Sequence, residues 1–247
     1  EQAVHAACQS ERLAALGQLA AGIGHEINNP LMNIMSLANL VEETIGDDKP
    51  DVKNDLEILR KEGQRCARIV QGILSFAREK QPSYVDFDMT NLLTETIELL
   101  KYRIESGEII LETNIADTLP MQGDPNLLQQ VLVNILLNAI QASPAGAKII
   151  IKAEKIGEFI EIEITDYGVG VSSKDFSKIF DPFFTTKEEG EGTGLGLSIS
   201  YGIVQRHDGS LSLENVSHGG AKVRICLPQA SKANEDAQEL LEEMNVG

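Results

Sequence analysis

"DPNLLQQVLVNILLNAIQAS" (124–143) decides how the second half of this chain is read. Asp124 followed by Pro125 marks a helix start, an N-cap residue before a proline at the first turn. The run that follows is apolar except at two asparagines. Asn134 and Asn138 are four residues apart, so they share one face of the helix. A buried asparagine needs a polar partner. On spacing alone that partner is either the protein core itself or a polar ligand or metal.

Working outward, "KIIIKAEK" (148–155) and "FIEIEITD" (159–166) read as strands. In the second, Ile160, Ile162 and Ile164 face one way and Glu161 and Glu163 the other. Upstream, "MTNLLTETIELLKYRIESG" is helical and "IILETNI" (109–115) alternates like a strand. Downstream come a glycine-rich region over 168–196, a helix at about 197–207, and strands at "GSLSLEN" and "AKVRICL". This order lacks regular βαβ repeats. It predicts a mixed α/β domain with a mostly antiparallel sheet and helices on one face.

Two glycine motifs stand within that domain. "DYGVG" (166–170) directly follows a strand, and "GTGLGLS" (192–198) directly precedes a helix. Glycines let backbone approach phosphates, and a helix N-terminus adds free N–H donors. "GTGLGL" is not a dinucleotide fingerprint, because its third glycine comes one residue early and no βαβ unit surrounds it. A Walker A ending is absent as well. Either motif by itself reads as a tight turn. Asp166 closes an apolar strand, where a carboxylate can accept from an amino group. "DPFFTTK" (181–187), between glycine-rich segments, has the makeup of a mobile lid, although Phe183 and Phe184 also suit ordinary core.

The first eighty residues have a different pattern. Leu13, Leu16, Leu19, Ile23, Ile27, Leu31, Ile34, Leu37, Val41 and Ile45 form one helical stripe. "GDDKP" (46–50) breaks it, and Val52, Leu56, Leu59, Cys66, Ile69, Ile73 and Phe76 form a second. Two long helices with a short loop make an antiparallel hairpin. A lone hairpin leaves its stripes partly bare, so pairing into a four-helix bundle, and hence a homodimer, is expected. The chain divides into a hairpin (1–80), a linker (81–87), an α/β domain (88–228) and an acidic tail (229–247).

Within the first helix, "GHEINNPL" (24–31) places polar residues where none are needed for packing. His25 lies about 200° around the helix from both Ile23 and Ile27, so it points away from the bundle. With an ordinary pKa of about 6.5, much of its imidazole is neutral at pH 7 and nucleophilic. Glu26 is placed to orient the ring or take its proton. Asn29 lies one turn along on the same face. Pro30 frees the Glu26 carbonyl and predicts a bend just after the histidine.

Bulk properties exclude several classes. The 247 residues carry a formal charge of −17, from 38 acidic and 21 basic side chains. That balance argues against nucleic-acid binding, which needs a basic face, and against anionic membranes. Three scattered cysteines form no CxxC or Cys/His cluster, so they read as reduced thiols. No apolar run reaches the roughly 18 residues of a membrane span, and no signal peptide is evident. The expected location is the cytoplasm, whether or not a parent protein is membrane-tethered. The chain opens in helical register without a clean cap, as expected of a fragment cut from a longer protein. His5, His207 and His218 have no ligand partners at useful spacing and are expected at the surface.

Over about residues 10–228 the chain resembles the sensor histidine kinases of two-component signalling. "HEINNPL" is similar to their H box, "NILLNA" to the N box, "DYGVG" to the G1 box, "DPFFTTK" to the F box and "GTGLGLS" to the G2 box, all in the family's order. The resemblance implies a dimerisation and phosphotransfer hairpin followed by a Bergerat-type α/β-sandwich that binds ATP and Mg²⁺. It implies that His25 accepts the phosphoryl group and passes it to an aspartate on a response regulator receiver domain, and that an upstream sensory domain is absent from this chain. Asn138 would ligate Mg²⁺ with Asn134 in support, and Asp166 would take the adenine amino group. Gly168 and Gly170 would shape the pocket floor. Gly192, Thr193, Gly194, Leu195 and Gly196 would line the phosphates. Many family members carry a basic residue three positions after the magnesium asparagine. Here that position is Gln141, which leaves Lys187 as the candidate to meet the phosphate charge. The Glu26–Asn29 spacing further implies phosphatase action on the phosphorylated partner. A conformational ATPase of the same fold, the competing reading, needs a catalytic acid where this chain has Asn134.

Overall fold

The computed structural model describes residues 31–42, 49–77, 83–187, 193–217 and 219–229. His5, His25, Glu26, Asn29, Gly192, His218 and the tail beyond 229 lie outside the described residues. The chain forms two compact units, one helical and one built on a sheet, and Asp181–Leu195 groups with the helical unit.

In the helical unit, residues 31–42 form helix α1 and Pro50–Ala77 form α2. The two helices approach at Gly63. A Cβ there would sit 2.9 Å from Met35 Cγ and 3.8 Å from Leu31 Cδ1, so any side chain would force Met35 to shift. The face of α1 turned to α2 is therefore Leu31, Met35 and the buried Ala38. This refines the expected stripe. Ile34, Leu37 and Val41 belong to it by spacing but stay exposed in the single chain, as do Met32 and Leu40 on α1 and Ile58 and Leu59 on α2.

The sheet unit begins earlier than its expected boundary at 88. Val85–Asp88 form strand β1, which pairs antiparallel with β3 (Pro120–Gly123). Residues 85–87, expected as linker, are thus strand. The main sheet has five strands in the order β2-β4-β5-β7-β6, where β2 is Ile110–Ile115, β4 Lys148–Ile156, β5 Phe159–Asp166, β6 Ser210–Asn215 and β7 Ala221–Pro228. Every pairing is antiparallel except β2 with β4. Parallel neighbours need a crossover, and the chain between β2 and β4 contains helix α4 (Pro125–Ala142).

Helices α3 (Met89–Ser106), α4 and α5 (Gly196–Arg206) complete the unit. Helix α4 packs against α3, α5 and β5. Strand parity decides the core. Ile149, Ile151 and Ala153 of β4, Ile160, Ile162 and Ile164 of β5, and Val223, Ile225 and Leu227 of β7 are all buried. Glu161, Glu163, Lys222 and Arg224, at intervening positions, form a polar network on the opposite face. Arg224 Nη2 meets Glu163 Oε1 at 2.7 Å, and Lys222 Nζ lies 3.6 Å from the same oxygen.

Helix starts carry much of the polar order. Asp88 caps α3 through the Thr90 N–H (2.9 Å) and also accepts the Leu119 N–H (3.0 Å). Those bonds, led by Leu119, hold its carboxyl below the usual range. Asp124 caps α4 as its position in the sequence predicts, accepting from Asn126 and Leu127 through Oδ1 and from Ser83 through Oδ2. Its own N–H donates to His207 Nε2 at 3.0 Å. His207 is only 2% exposed, which corrects the expectation of a surface histidine. Its Nδ1 lies 2.8 Å from the Ile203 carbonyl, an acceptor, so Nδ1 carries the proton and Nε2 accepts. The Tyr84 ring packs beside it, and the Tyr84 hydroxyl donates to the Arg206 carbonyl at 2.6 Å. Burial lowers the pKa of this imidazole.

Candidate functional site

Asp166 is the polar terminus of an apolar strand. It continues the parity of Ile160, Ile162 and Ile164, so its side chain falls on the core face beside the helices and is only 6% exposed. Its Oδ1 accepts two backbone N–H groups, from Gly168 at 2.9 Å and Ala221 at 3.2 Å. Burial raises its pKa and outweighs those donors, which act to lower it. A carboxylate held this way is oriented and poorly hydrated, and a ligand N–H facing it is strongly favoured.

The loop after Asp166 runs tight against the C-terminal end of α4. A Cβ on Gly168 would sit 2.1 Å from the Ala142 carbonyl oxygen. Gly168 is therefore required by close approach rather than by a left-handed backbone. Gly170 does adopt that backbone, at φ 68°.

Asn134 and Asn138 are half-buried on one face of α4. Asn134 Nδ2 reaches the Gly196 carbonyl and Ser200 Oγ, both at 3.4 Å, which ties α4 to the first turn of α5. Ser200 is fully buried. So the core alternative raised by the sequence holds in part for Asn134, which has protein partners. Asn138 lies one turn further toward the helix end that Gly168 abuts.

Within the helical unit, residues 181–187 and 193–195 approach one another. Phe183 adopts a left-handed φ of 68°, uncommon for a bulky residue, and the Phe184 N–H donates to the Asp181 carbonyl at 3.2 Å. Gly194, at φ 65°, lies so close that a Cβ would be 2.4 Å from the Phe183 carbonyl carbon. Gly194 thus meets Phe183 and Phe184 backbone to backbone. Thr193 Oγ1 accepts the Leu195 N–H at 3.4 Å, and Leu195 is buried. The Lys187 N–H donates to Thr185 Oγ1 at 3.2 Å.

Comparison with known proteins bears on the same residues. Residues 15–82 match the family model of the His Kinase A (phospho-acceptor) domain, and 123–231 match that of the histidine kinase-, DNA gyrase B-, and HSP90-like ATPase. The sensor histidine kinase ZraS of Escherichia coli strain K12 is 36% identical over 221 residues, 89% of this chain and 47% of that protein. The solved catalytic domain of histidine kinase ThkA is 30% identical, with a TM-score of 0.56 over 60% of this chain and 97% of that one.

This chain belongs to the sensor histidine kinases.

A histidine kinase core of this kind joins a phospho-acceptor hairpin to an ATPase-type domain, in the order that the five boxes imply. The structure of ThkA in complex with the response regulator protein TrrA is 29% identical, with a TM-score of 0.67 over 89% of this chain and 64% of that one. The chain spans about half the length of the curated sensor kinases it matches. His25, with Glu26 and Asn29, falls inside the phospho-acceptor match but outside the described residues, as does Gly192 within the ATPase match. No helix among the described residues is long and apolar enough to cross a membrane.

The sequence reading gave no role to two residues that order this region. His207 organises the N-cap of α4, and Asn215 holds Val171 across 44 residues of chain. No local pattern marks either one, since each partner is brought in by the sheet.

Proposed function

We propose that this chain is the ATP-dependent kinase core of a sensor protein. It autophosphorylates His25 and passes the phosphoryl group to an aspartate of a response regulator receiver domain. The observation that carries the reading is Asp166. It is a buried carboxylate at the end of a core strand, fixed through Oδ1 by two N–H groups, with Gly168 leaving no room for a side chain beside it. That arrangement suits the 6-amino group of adenine, with Oδ2 as the acceptor. It does not suit guanine, which presents a carbonyl at that position.

The remaining roles follow the family's boxes. Asn138 is the candidate Mg²⁺ ligand. A single amide carbonyl fits a cation held mostly by phosphate oxygens and water. Bound there with ATP, Mg²⁺ supplies charge neutralisation at the phosphates. Asn134 supports the site by fixing Gly196 and the start of α5. Gly192, Thr193, Gly194, Leu195 and Gly196 offer backbone N–H groups to the phosphates, and Lys187 offers a charge. Neutral His25 attacks the γ-phosphorus in line and ADP departs, so catalysis is mainly positioning and charge stabilisation. Glu26 orients the imidazole or takes its proton. The exposed Ile34, Leu37 and Val41 suit burial against a second copy, which supports a homodimeric four-helix bundle. The functional domains are the hairpin at 1–80, the ATP-binding domain at 85–228 in place of the expected 88–228, and a tail at 229–247, with the linker shortened to the residues before β1.

Incubation with γ-labelled ATP and Mg²⁺ tests the kinase. Acid-labile, base-stable label on the chain, absent in His25→Gln, is the expected result. Steady phosphate release without labelled protein would instead mark a conformational ATPase. For the phosphatase activity, Asn29→Ala should slow dephosphorylation of the phosphorylated regulator, and an unchanged rate would remove Asn29 from that role.

A further inference from the structure

The loop from Asp166 to Val171 is tied at both ends to one hairpin, formed by β6 and β7. At its start, the Ala221 N–H donates to Asp166 Oδ1, and Gly220 lies so close that a Cβ would be 2.1 Å from the Asp166 carbonyl oxygen. At its end, the Asn215 carboxamide engages both backbone groups of Val171. The Val171 N–H donates to Asn215 Oδ1 at 2.8 Å, and Asn215 Nδ2 donates to the Val171 carbonyl at 2.7 Å. Only this orientation of the amide places donor against acceptor at both bonds.

Asn215 is the last residue of β6, paired in register with Ala221. Its side chain therefore adds a rung where the backbone ladder stops. The turn beyond it is closed by Val216 N–H to the Gly220 carbonyl (3.1 Å) and Gly219 N–H to the Val216 carbonyl (3.1 Å). Gly170 is wedged between the two anchors, where a Cβ would lie 2.9 Å from Asn215 Oδ1 and 3.0 Å from the Gly220 carbonyl oxygen. Ala221 and Asn215, partners on adjacent strands, thus grip the two ends of one short loop. Between those grips lies the Gly168 N–H that orients Asp166.

We propose that Asn215 is a positioning residue for the nucleotide. It sets the path of residues 168–171 and, through Gly168, the orientation of the Asp166 carboxylate, and so sets selectivity for adenine over guanine. This rests on Asp166 being the adenine acceptor. Asn215 itself touches no base; it acts through Val171.

The test uses the full chain with Mg²⁺ and compares wild type, Asn215→Ala and Asp166→Asn. Calorimetric affinity is measured for ATP and GTP, with amide exchange followed at Gly168–Val171. Asn215→Ala should speed exchange across the loop and weaken ATP binding about tenfold, the scale of two modest hydrogen bonds. GTP binding should weaken less, so the ATP-to-GTP ratio falls. If Asn215→Ala does not fold, Asn215→Ser, which keeps one bonding group, is measured in the same way. The inference is overturned if Asp166→Asn loses the adenine preference while the Asn215 variant keeps both affinity and ratio within about twofold of wild type. Equal weakening toward both nucleotides overturns it too, since that marks a general structural role. A wild-type chain that fails to bind ATP overturns the kinase reading along with it.

Discussion

Gly168→Ala is the sharpest perturbation the fold offers. The added Cβ would lie 2.1 Å from the Ala142 carbonyl oxygen and 2.6 Å from its carbon, both backbone atoms at the end of α4. Real Cβ contacts essentially never fall below 3.0 Å, so loop and helix must separate by at least about 0.9 Å. Where Gly168 takes up that displacement and Asp166 stays in β5, the 2.9 Å bond between them is stretched beyond hydrogen-bonding range. Overpacking of this kind costs about 1–3 kcal/mol, and losing a bond to a buried carboxylate about 1.5–3 kcal/mol. The expected outcome is a melting temperature lowered by roughly 5–24 °C, at about 2–4 °C per kcal/mol. ATP affinity should fall by roughly ten- to a hundredfold. Thermal melts and nucleotide titration measure the two effects separately. Gly146→Ala is the control, since it adds a Cβ into open space at a left-handed φ of 80°. It should lose about 1 kcal/mol of stability and keep its nucleotide affinity. Wild-type ATP binding by Gly168→Ala would refute the claim that this close approach positions Asp166.

Three further outcomes follow from the same geometry. Asp166→Asn should weaken ATP binding by about ten- to a hundredfold, from loss of a charged acceptor. Because burial raises the Asp166 pKa above its ordinary 3.8, the folded state holds that proton to higher pH than the unfolded state. Stability is therefore lost as pH rises through that window, and the asparagine variant should lack this loss in urea melts at stepped pH. His207 has the opposite sign. Its folded pKa lies below 6.5, so as pH falls through 6.5 the unfolded chain binds a proton that the folded chain does not. Stability should drop on acidification below that point, and His207→Gln should flatten the slope. Asp124→Ala removes the α4 cap and the Ser83 anchor together. It should lower unfolding free energy by about 1–3 kcal/mol, and a change under 0.5 kcal/mol would show that the anchor contributes little.

Much of the fold was legible before any coordinates. Periodicity in "FIEIEITD" and "KIIIKAEK" marked β5 and β4 within a residue of their observed ends, and Asp124–Pro125 marked the start of α4. Strands β1 and β3 were not legible. "VDFD" and "PMQG" are short, and one begins with proline, so neither carries a β signal of its own. Each exists because the other pairs with it across the chain. Likewise Ile34, Leu37 and Val41 fit the α1 stripe by spacing, yet the observed contact with α2 uses Leu31 and Met35. Helical period defines a broad apolar face, and the partner helix selects which part of it is covered.

The chemical identity of the candidate site was likewise written locally. Asn134, Asn138, Asp166 and the glycines stand in short motifs, and the parity of β5 alone put Asp166 on the core face. Sequence by itself determined which residues are candidates for the site, because helix and strand periods act over a few neighbours. Only the tertiary structure decided what holds them. Ala221 on Asp166, Asn215 on Val171, Gly196 and Ser200 on Asn134, and His207 on Asp124 all join residues more than forty positions apart. Those partners arise from strand order and helix packing. A hydrogen bond needs its donor and acceptor within about 3 Å, and it is the assembled sheet, not the local pattern, that brings them there.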